Sequence, residues 1–398
     1  MAVTFKVRPV KVDNADEAWA EIERIGATDD GCLIMAPKAV HYVLKVTGVD
    51  FRQASILKQE MLARGAEAAV AKGVINHTVE HTDVLLMGTL QQYGSLMDKL
   101  KKQSFNLPEL AEEIRRVLYH LEIKEPFTID CRGRKLAIGR GTVVMGILNV
   151  TPDSFSDGGQ YMDPEAALQR AREMVSQGAE IIDVGAESTR PGYEPVTAEE
   201  EIDRLMPVLE ALLQDREIGV PISVDTSKAE VARRALDAGA HMINDQRALE
   251  DEGMAEVVAS AGAPVVLMHH QDHTAYRDLL GDIVSYLQDR VEYAVKAGIA
   301  REKIIVDPGL GFGKTVEQNL AVVRQLFELK GLGRPILVGP SRKSMIGKVL
   351  DLPVDERVEG TAATVALAIA NGADIVRVHD VKEMVRVAKM ADAIVREG

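Results

Sequence analysis

Cysteine is scarce in this sequence, and long apolar runs are absent from it. The two cysteines, Cys32 and Cys131, lie far apart and form no CxxC pair. This spacing argues against a disulfide framework or a zinc site and indicates reduced thiols in a cytosol. No apolar stretch reaches the roughly 18 residues that a membrane-spanning helix requires. We therefore expect neither a disulfide-stapled secreted domain nor an integral membrane protein.

The sequence also has fewer basic than acidic residues. The sequence has 47 Lys and Arg against 61 Asp and Glu, which gives a formal net charge of −14 at pH 7. This balance disfavours a broad nucleic-acid-binding surface, so an anionic ligand must be held by a few focused cations. The N-terminal segment has neither the apolar core of a signal peptide nor the amphipathic character of a transit sequence. We expect a cytoplasmic protein.

The length of 398 residues predicts two domains. Residues 1–125 mix strand-like runs with helical patterns, which predicts a small α/β domain. The sequence leaves its role open among packing, dimerisation and regulation. The strand-like runs are 5–12, 32–36 and 84–88, and the helical patterns are 15–25, 51–63 and 107–121.

Two histidines of this first domain have the spacing of a metal pair. His77 and His81 stand four residues apart, so on a helix both imidazoles would share one face and bind a metal. Thr78, Val79 and Thr82 favour a strand or turn instead. The interpretation we adopt is therefore structural.

A short hairpin is predicted between the two domains. Residues 124–142 alternate apolar and polar positions on either side of Arg132 and Gly133. Placed before the first strand of the second domain, this hairpin is expected to plug the N-terminal mouth of a barrel. We set the domain boundary near residue 125.

Residues 126–398 alternate between strands and amphipathic helices. The helix over 164–177 begins after Asp163, and the helix over 228–238 ends at Gly239, as helix-capping chemistry requires. Eight such units predict a (β/α)8 TIM barrel. A doubly wound sheet would show a Gly-rich dinucleotide turn after its first strand, and the sequence has none. The predicted strands are 143–150, 180–186, 221–226, 242–245, 264–269, 304–308, 335–339 and 374–379.

Polar residues occur at or just past the ends of these strands. In a parallel barrel such residues converge on one pocket. A polar residue after a strand is often only a helix N-cap, the interpretation we adopt for Thr226 and Ser227. The density of the rest predicts an active site, because a structural rim has no need to desolvate carboxylates beside cations. They are Asn149; Glu187, Ser188, Thr189 and Arg190; Asp225; Asn244 and Asp245; Met268 and His269; Asp307; Ser341, Arg342 and Lys343; and Arg377, His379 and Asp380.

Four of these residues suit one class of ligand. Asp225, Asn244, Asp307 and Lys343 supply two carboxylates, an amide and an ammonium. This set of donors and acceptors matches the edge of a flat nitrogen heterocycle.

The last strand predicts an anion site. Arg377 and His379 point the same way by the two-residue period of a strand, and Arg342 or Arg190 are candidate additions. Phosphate sites near strands 7 and 8 are common in this barrel. An ordinary rim ion pair is the alternative for Arg377 and His379.

Hard oxygen ligands stand beside that anion site. Asn149, Asp153 and Asp157 favour a Mg²⁺ ion that bridges a diphosphate. The sequence contains no HExxH motif and no nucleophile paired with a base. The site is therefore expected to stabilise a departing charge rather than to form a covalent intermediate.

The motifs together resemble the dihydropteroate synthases of the pterin-binding barrel superfamily. The resemblance covers roughly residues 125–398 and rests on eight strings in order. They are GILNVTPDSFSDGG, IIDVGAESTRPG, ISVDTSKAEVA, MINDQ, VVLMHH, IIVDPGLGFGKT, VGPSRKSMIG and IVRVHDV.

This resemblance implies a reaction in folate biosynthesis. In it, 4-aminobenzoate attacks C9 of 6-hydroxymethyl-7,8-dihydropterin diphosphate to give 7,8-dihydropteroate and diphosphate. It implies a dissociative mechanism, in which diphosphate leaves with Mg²⁺ and a pterin cation is stabilised partly by Asp225. It also implies a homodimer, and mobile loops over 151–159 and 188–192 that close on the substrates.

The resemblance assigns the site residues to three groups. The pterin contacts are Asp225, Asn244, Met268, Asp307 and Lys343. The Mg²⁺ and diphosphate site is Asn149, Arg377 and His379, with Asn149 as the metal ligand. The aminobenzoate contacts are Thr189, Pro191, Phe312 and Ser344. Asp225, Lys343 and Asn149 are the catalytic candidates.

The sequence departs from the family pattern in three places. Gln246 and Arg247 put a bulky polar pair near the pterin mouth, where the family commonly has small apolar residues. The segment MHHQDHTAYRDLLGD is short and lacks an MQG-type turn, and Ala186 replaces a glycine. These changes leave the substrate choice open.

Two other functions remain as alternatives. A pterin-binding methyltransferase acting on methyltetrahydrofolate and a corrinoid protein would use Asp225, Asn244 and Asp307 but would not need Arg377 and His379. A non-catalytic pterin-binding relative would not need the metal and anion residues. Release of diphosphate in the presence of Mg²⁺ separates the three.

Overall fold

The structure, a computed structural model, describes residues 5–123, 125–150, 163–187 and 196–396. The chain forms two compact units, Met1–Lys124 and Glu125–Gly398. Each unit has its own apolar core. Among the described residues, no helix is both long and apolar enough to cross a membrane.

The first unit is a three-stranded antiparallel sheet with five helices. The strand order is β1-β3-β2, which puts the third strand in the centre. The predicted helices over 15–25, 51–63 and 107–121 and the strand over 84–88 are confirmed. The elements are α1 (Ala15–Arg24), α2 (Asp29–Ala39), β1 (His41–Asp50), α3 (Phe51–Leu62), β2 (Glu67–Val70), β3 (His81–Thr89), α4 (Leu90–Leu100) and α5 (Leu107–Glu122).

Two strand predictions in this unit were wrong. Residues 32–36 lie inside α2, because the Thr28 side chain accepts a hydrogen bond from Gly31 N and caps a helix there. Cys32 and Ala36, one helical turn apart, are the buried residues of that helix. Residues 5–12 form no strand, because their side chains lie mostly in solvent and no neighbouring strand pairs with them.

The two histidines do not lie on one helix. His77 lies in a turn with φ of 55°, and His81 begins β3. In the part of the chain that the structure describes, no group of three or more His, Cys, Asp or Glu is arranged to hold a metal ion. The helix face that the metal interpretation required is therefore not formed, in keeping with the predicted strand or turn.

The second unit is a barrel of eight parallel strands, as predicted. The order is β11-β10-β9-β8-β7-β6-β13-β12, and a parallel bridge between Val306 and Ile336 joins the two ends. The (β/α)8 fold is confirmed. The strands are β6 (Val143–Asn149), β7 (Ile181–Gly185), β8 (Ile222–Asp225), β9 (Met242–Asp245), β10 (Val265–Met268), β11 (Ile304–Asp307), β12 (Leu337–Val338) and β13 (Ile375–Val378).

Helices surround the barrel and bury one face against it. They are α6 (Pro164–Gln177), α7 (Ala198–Gln214), α8 (Ala229–Ala238), α9 (Met254–Ala261), α10 (Leu279–Lys296), α11 (Val316–Arg324), α12 (Ser344–Leu350), α13 (Val358–Ala370) and α14 (Val381–Val395). Asp163 caps α6, and α8 ends at Gly239 in the left-handed region, as predicted.

The predicted N-cap of α8 was wrong. The capping position is Lys228, which makes no side-chain capping bond. Asp251 Oδ2 instead accepts from Ala229 N at 2.7 Å, and Thr226 Oγ1 accepts from Lys228 N at 3.2 Å. A carboxylate from a later loop thus replaces Thr226 and Ser227 at the helix start.

The hairpin forms as predicted. Its strands are β4 (Phe127–Cys131) and β5 (Arg134–Ile138), joined at Arg132 and Gly133, both of which have positive φ. Its buried side chains share one apolar cluster with the first halves of the barrel strands. The hairpin therefore closes the N-terminal end of the barrel, opposite the strand ends that carry polar residues. The cluster is Ile129, Cys131, Leu136, Ile138, Val143, Met145, Ile181, Met242, Val266, Ile305, Leu337 and Ile375.

Candidate active site

The parallel strands bring the predicted polar residues to one rim of the barrel. Asn149 ends β6, Asp225 ends β8, Met268 ends β10 and Asp307 ends β11. Strand register sets Asp225 directly beside Asn244 on β9. Since all eight strands run the same way, these residues lie at the C-terminal end of the barrel.

Arg377 lies between two carboxylates at this rim. Its Nε donates to Asp183 Oδ2 at 2.6 Å, and its Nη2 donates to Asp225 Oδ2 at 2.6 Å. Asn244 Nδ2 donates to the same Asp183 oxygen at 3.0 Å. Burial acts to lower the pKa of Arg377, but the two carboxylates more than offset this and raise it. The guanidinium therefore stays charged.

Asp183 is the site residue that the sequence analysis missed. It is fully buried in β7, and its Oδ1 has no hydrogen-bond partner among the described residues. The signal was present in the run IIDVG, because a carboxylate inside an apolar strand is buried only beside a partner. Pattern alone did not identify Arg377, which lies 194 positions away, as that partner.

Asp225 is held from a second side by Gln246. Gln246 Nε2 donates to both carboxylate oxygens, at 2.7 and 2.9 Å. Burial raises the pKa of Asp225 above its ordinary value, and Arg377 opposes that rise. Arg247, expected beside Gln246 at the mouth, instead has a half-exposed side chain whose Nη1 lies 3.8 Å from Glu250. Of the bulky polar pair, only Gln246 faces the site.

Asp307 and Lys343 interact across the same rim. Asp307 Oδ1 accepts from Gly309 N at 2.7 Å. Burial raises the pKa of Asp307 to about 6, against the opposing effects of the Gly309 amide and the Lys343 charge. Lys343 Nζ also lies 4.4 Å from the centroid of the half-buried Phe312 ring, in a cation–π contact. Met268, predicted to line the pocket, is buried.

A buried lysine fastens the turn after β11. Lys314 Nζ donates to the Gly309 and Phe312 carbonyl oxygens at 2.9 and 3.0 Å and lies 3.1 Å from His269 Nδ1. Burial lowers the pKa of Lys314 to about 7. Burial and the Lys314 charge lower the pKa of His269 to about 3, so its neutral ring accepts the hydrogen bond. A Cβ at Gly309 would collide with the His269 carbonyl oxygen, which explains the glycine.

Two residues predicted for the anion site, His379 and Arg342, have different partners. His379 N donates to Ser341 Oγ at 3.1 Å, and His379 Nδ1 lies 3.0 Å from the same oxygen. Arg342, a candidate addition to the anion site, instead pairs with Asp380 through Nη2 at 2.5 Å and Nε at 3.1 Å. Arg342 therefore braces the start of α14.

Two other carboxylates predicted at the rim serve the backbone or a structural lysine. Asp245 accepts from Arg247 N at 2.8 Å and Leu249 N at 2.6 Å, which closes the turn after β9. Glu187 accepts from Lys228 Nζ at 2.6 Å. These contacts place both carboxylates outside the group around Arg377.

Several predicted residues lie outside the described residues. They are Asp153 and Asp157, the loop over 151–159, and Ser188, Thr189, Arg190 and Pro191 with the loop over 188–192. Of the predicted aminobenzoate contacts, the structure describes Phe312 and Ser344. Ser344 is exposed and begins α12, directly after Lys343.

Acidic side chains outnumber basic ones in the group around Arg377. Two acidic side chains, Asp183 and Asp225, share the single guanidinium of Arg377. The central group therefore has more acidic than basic side chains in a mostly buried site. Such a site suits a ligand that develops positive charge during its reaction, because fixed charges act strongly where water is excluded.

Known proteins match the barrel closely. The pterin-binding enzyme family matches residues 145–379. The dihydropteroate synthase of Bacillus subtilis is 52% identical over 277 residues, which cover 69% of this chain and 96% of that protein. A structure of Xanthomonas albilineans dihydropteroate synthase in complex with 7,8-dihydropteroate matches with 40% identity and a TM-score of 0.62, over 67% of this chain and 98% of that one.

Some matches extend beyond the barrel into the first unit. A probable bifunctional folylpolyglutamate synthase/dihydropteroate synthase of Halobacterium salinarum is 43% identical over 389 residues. The alignment covers 96% of this chain but only 46% of that protein. The first unit is therefore included in a relative that is about twice as long.

Proposed function

The chain belongs to the dihydropteroate synthases of the pterin-binding enzyme family, and we propose how its rim residues perform the reaction. The reaction condenses 6-hydroxymethyl-7,8-dihydropterin diphosphate with 4-aminobenzoate, and it yields 7,8-dihydropteroate and diphosphate. The enzyme is thus a transferase of alkyl groups other than methyl. The observation that carries the proposal is the group of Asp183, Asp225, Asn244 and Arg377, joined by hydrogen bonds at the rim.

The pterin ring is bound by groups on consecutive strands. Asp225, Asn244 and Asp307 present carboxylate and amide groups to the donor and acceptor edge of the ring, and Lys343 adds an ammonium. Met268 supplies an apolar surface for the ring face. Asn244 and Asp307 are buried, which supports the assignment, since hydrogen bonds to a ligand are stronger where water is excluded.

The carboxyl groups around Arg377 stabilise the reacting centre. As the C9–oxygen bond of the pterin substrate breaks, its electrons leave with diphosphate and positive charge develops on the pterin. Asp225 faces this charge with Asp183 behind it, and Arg377 holds both carboxylates in place. The lone pair of the aminobenzoate nitrogen then forms the new C9–N bond, and that nitrogen releases a proton.

Diphosphate is bound beside this centre by Arg377 and His379. Arg377 stays charged while paired with two carboxylates, and His379 lies two positions further along the chain. The contact between His379 Nδ1 and Ser341 Oγ at 3.0 Å supports this assignment, because it orients the imidazole at the rim.

Mg²⁺ fits the residues at the end of β6. Asn149 offers a hard amide oxygen at the C-terminal rim. No group of three or more His, Cys, Asp or Glu suited to a metal exists among the residues that the structure describes, so a site built only from protein carboxylates has no support there. Mg²⁺ takes few protein ligands and shares substrate phosphate oxygens, so Asn149 would hold it. When bound, the ion neutralises charge on the departing diphosphate.

Aminobenzoate is placed against Phe312, Lys343 and Ser344. The Phe312 ring is half-buried and already contacts the Lys343 ammonium. This pair offers an apolar face for the aromatic ring and a cation for the carboxylate. Thr189 and Pro191 complete the proposed contacts from outside the described residues.

The proposal includes a homodimer and a cytoplasmic location. Exposed apolar side chains lie on α11, α12 and α13, which pack against one another, and they support a second copy as partner. Sedimentation of the purified protein tests the dimer. The two free cysteines, both buried, support a reducing compartment. The apolar side chains are Leu320, Val349, Leu350 and Leu367.

Diphosphate release tests the reaction. Purified protein is given dihydropterin diphosphate and 4-aminobenzoate, with and without Mg²⁺. We expect release that requires both the amine and the metal. Tight pterin binding without release would instead support one of the two alternatives, methyl transfer to a corrinoid protein or pterin binding without catalysis.

A further inference from the structure

Gln246 occupies an unusual place for a side chain that follows a strand. It comes directly after β9, yet its side chain turns back onto the end of β8 and is 8% exposed. Its Nε2 lies 2.7 and 2.9 Å from the two oxygens of Asp225. Its neighbour Arg247 lies at the surface. The turn therefore selects one of two adjacent polar residues to face the site.

The geometry decides which atom of Gln246 faces Asp225. A carboxylate accepts hydrogen bonds, so only the amide NH₂ of Gln246 is compatible with contacts to both oxygens. A carboxylate offers about four acceptor positions, and Gln246 and Arg377 occupy three of them. Among the described residues this leaves one position for a substrate donor, and the other three bonds fix its direction.

We propose that Gln246 is a positioning residue for the pterin site: its amide clamps both oxygens of Asp225 and keeps that carboxyl group aimed at the substrate. This inference rests on the proposed function only in naming pterin as the substrate. The hydrogen bonds themselves belong to the structure without a ligand.

The charges around Asp225 show why such a clamp matters. Burial and the neighbouring carboxylates Asp183 and Glu201 favour the protonated form of Asp225, whereas Arg377 and Gln246 favour the anion. Glu201 is itself paired with Lys228 at 2.6 Å, which limits its effect. Loss of the Gln246 amide favours the protonated form of Asp225 over the anion. Any substitution that removes this amide should therefore raise the pKa of Asp225.

The test substitutes Gln246→Met, which keeps the side-chain length and removes the amide. We expect the KM for dihydropterin diphosphate to rise by about tenfold, as for a lost hydrogen bond to a charged group. The acidic limb of kcat/KM against pH should move to higher pH by about one unit. The KM for 4-aminobenzoate should stay within about twofold. Arg247→Met, next in the same turn, is the matched control and should change none of these.

A direct titration separates this inference from the proposed function. The pKa of Asp225, followed by carbon NMR of the labelled carboxylate, should be higher in Gln246→Met than in the wild type. If this difference is observed but the wild-type protein has no synthase activity, the clamp is upheld and the proposed function is overturned. An unchanged Asp225 pKa in folded Gln246→Met protein overturns the inference, whatever the activity. A shift of the same size in Arg247→Met would also overturn it, because the effect would then belong to the turn.

Discussion

At the scale of single residues, the site depends on one cation shared by two carboxylates. Arg377 lies 2.6 Å from both Asp183 and Asp225, and these three charges set the electrostatics of the rim. The sequence predicted Arg377 and Asp225 as site residues but assigned them to different ligands. Their ion pair was not predictable from pattern, because it joins residues 152 positions apart through the closure of the barrel.

Replacement of Arg377 tests this arrangement. Arg377→Met leaves two buried carboxylates without their cation, which should cost about 3–5 kcal/mol in the free energy of unfolding. Since the raised pKa of Asp225 would rise further, the native state would hold a proton that the unfolded state has lost. The wild type behaves in the same way up to its own Asp225 pKa of about 7, so the variant should lose stability relative to wild type as the pH rises above about 7. Chemical denaturation at several pH values measures this.

The same variant should also bind diphosphate more weakly. Product inhibition by diphosphate should weaken in Arg377→Met and stay unchanged in Arg342→Met, because Arg342 pairs with Asp380 instead. Equal inhibition of the Arg377→Met variant and the wild type would remove Arg377 from the diphosphate site.

Lys314 provides a second residue-scale prediction. Its native pKa is about 7 against an ordinary value of 10.5. Between these values the unfolded state binds one more proton than the native state, so the free energy of unfolding rises with pH by up to about 1.4 kcal/mol per unit. Thermal unfolding of Lys314→Met should lack this rise between pH 7 and 10. The exposed Lys348→Met control should retain it.

Lys314 also positions the turn that carries Phe312. Loss of its bonds to the Gly309 and Phe312 carbonyls should raise the KM for 4-aminobenzoate about fivefold, more than the KM for the pterin substrate. A larger effect on the pterin KM would mean that Lys314 acts on Asp307 instead.

At the scale of elements, the barrel was predictable because its strands are buried on both faces. The run Val143 to Leu148 is apolar throughout and is followed by the polar Asn149 at the rim. The first unit was harder, because its strands have one exposed face and pair over long distances. The sequence analysis missed β1, because this strand pairs with β3 about 40 positions later. It mistook part of α2 for a strand, because Cys32 to Ala36 is a short apolar run.

The hairpin carries the element-scale prediction. Ile129 is fully buried against the barrel interior, so Ile129→Ala should cost about 2–5 kcal/mol in the free energy of unfolding. Thr128→Ala, exposed on the same strand, should cost less than about 0.5 kcal/mol. Because the hairpin lies at the opposite end of the barrel from the site, kcat of the folded Ile129→Ala protein should be unchanged. A large loss of kcat in fully folded Ile129→Ala protein would show that the hairpin and the site are not independent.

At the scale of the whole molecule, the chain consists of two units with separate cores. The length of the B. subtilis relative is close to that of the second unit alone, and it is matched over 96%. We therefore expect a protein of residues 125–398 to fold and to keep kcat within about threefold of the full chain. Circular dichroism and the diphosphate assay check this. Loss of activity in a folded fragment would assign the first unit a part in catalysis.

The central claim is that Asp225, backed by Asp183, stabilises a developing pterin cation in a synthase reaction. Mass-spectrometric measurement of 7,8-dihydropteroate formed from dihydropterin diphosphate and 4-aminobenzoate tests it most directly, with Asp225→Asn as the comparison. We expect product equal in amount to the diphosphate released, and a kcat lower by about 10²–10³ in Asp225→Asn, which keeps the shape but loses the charge. No product from the wild type, or an equal kcat in both proteins, would contradict it.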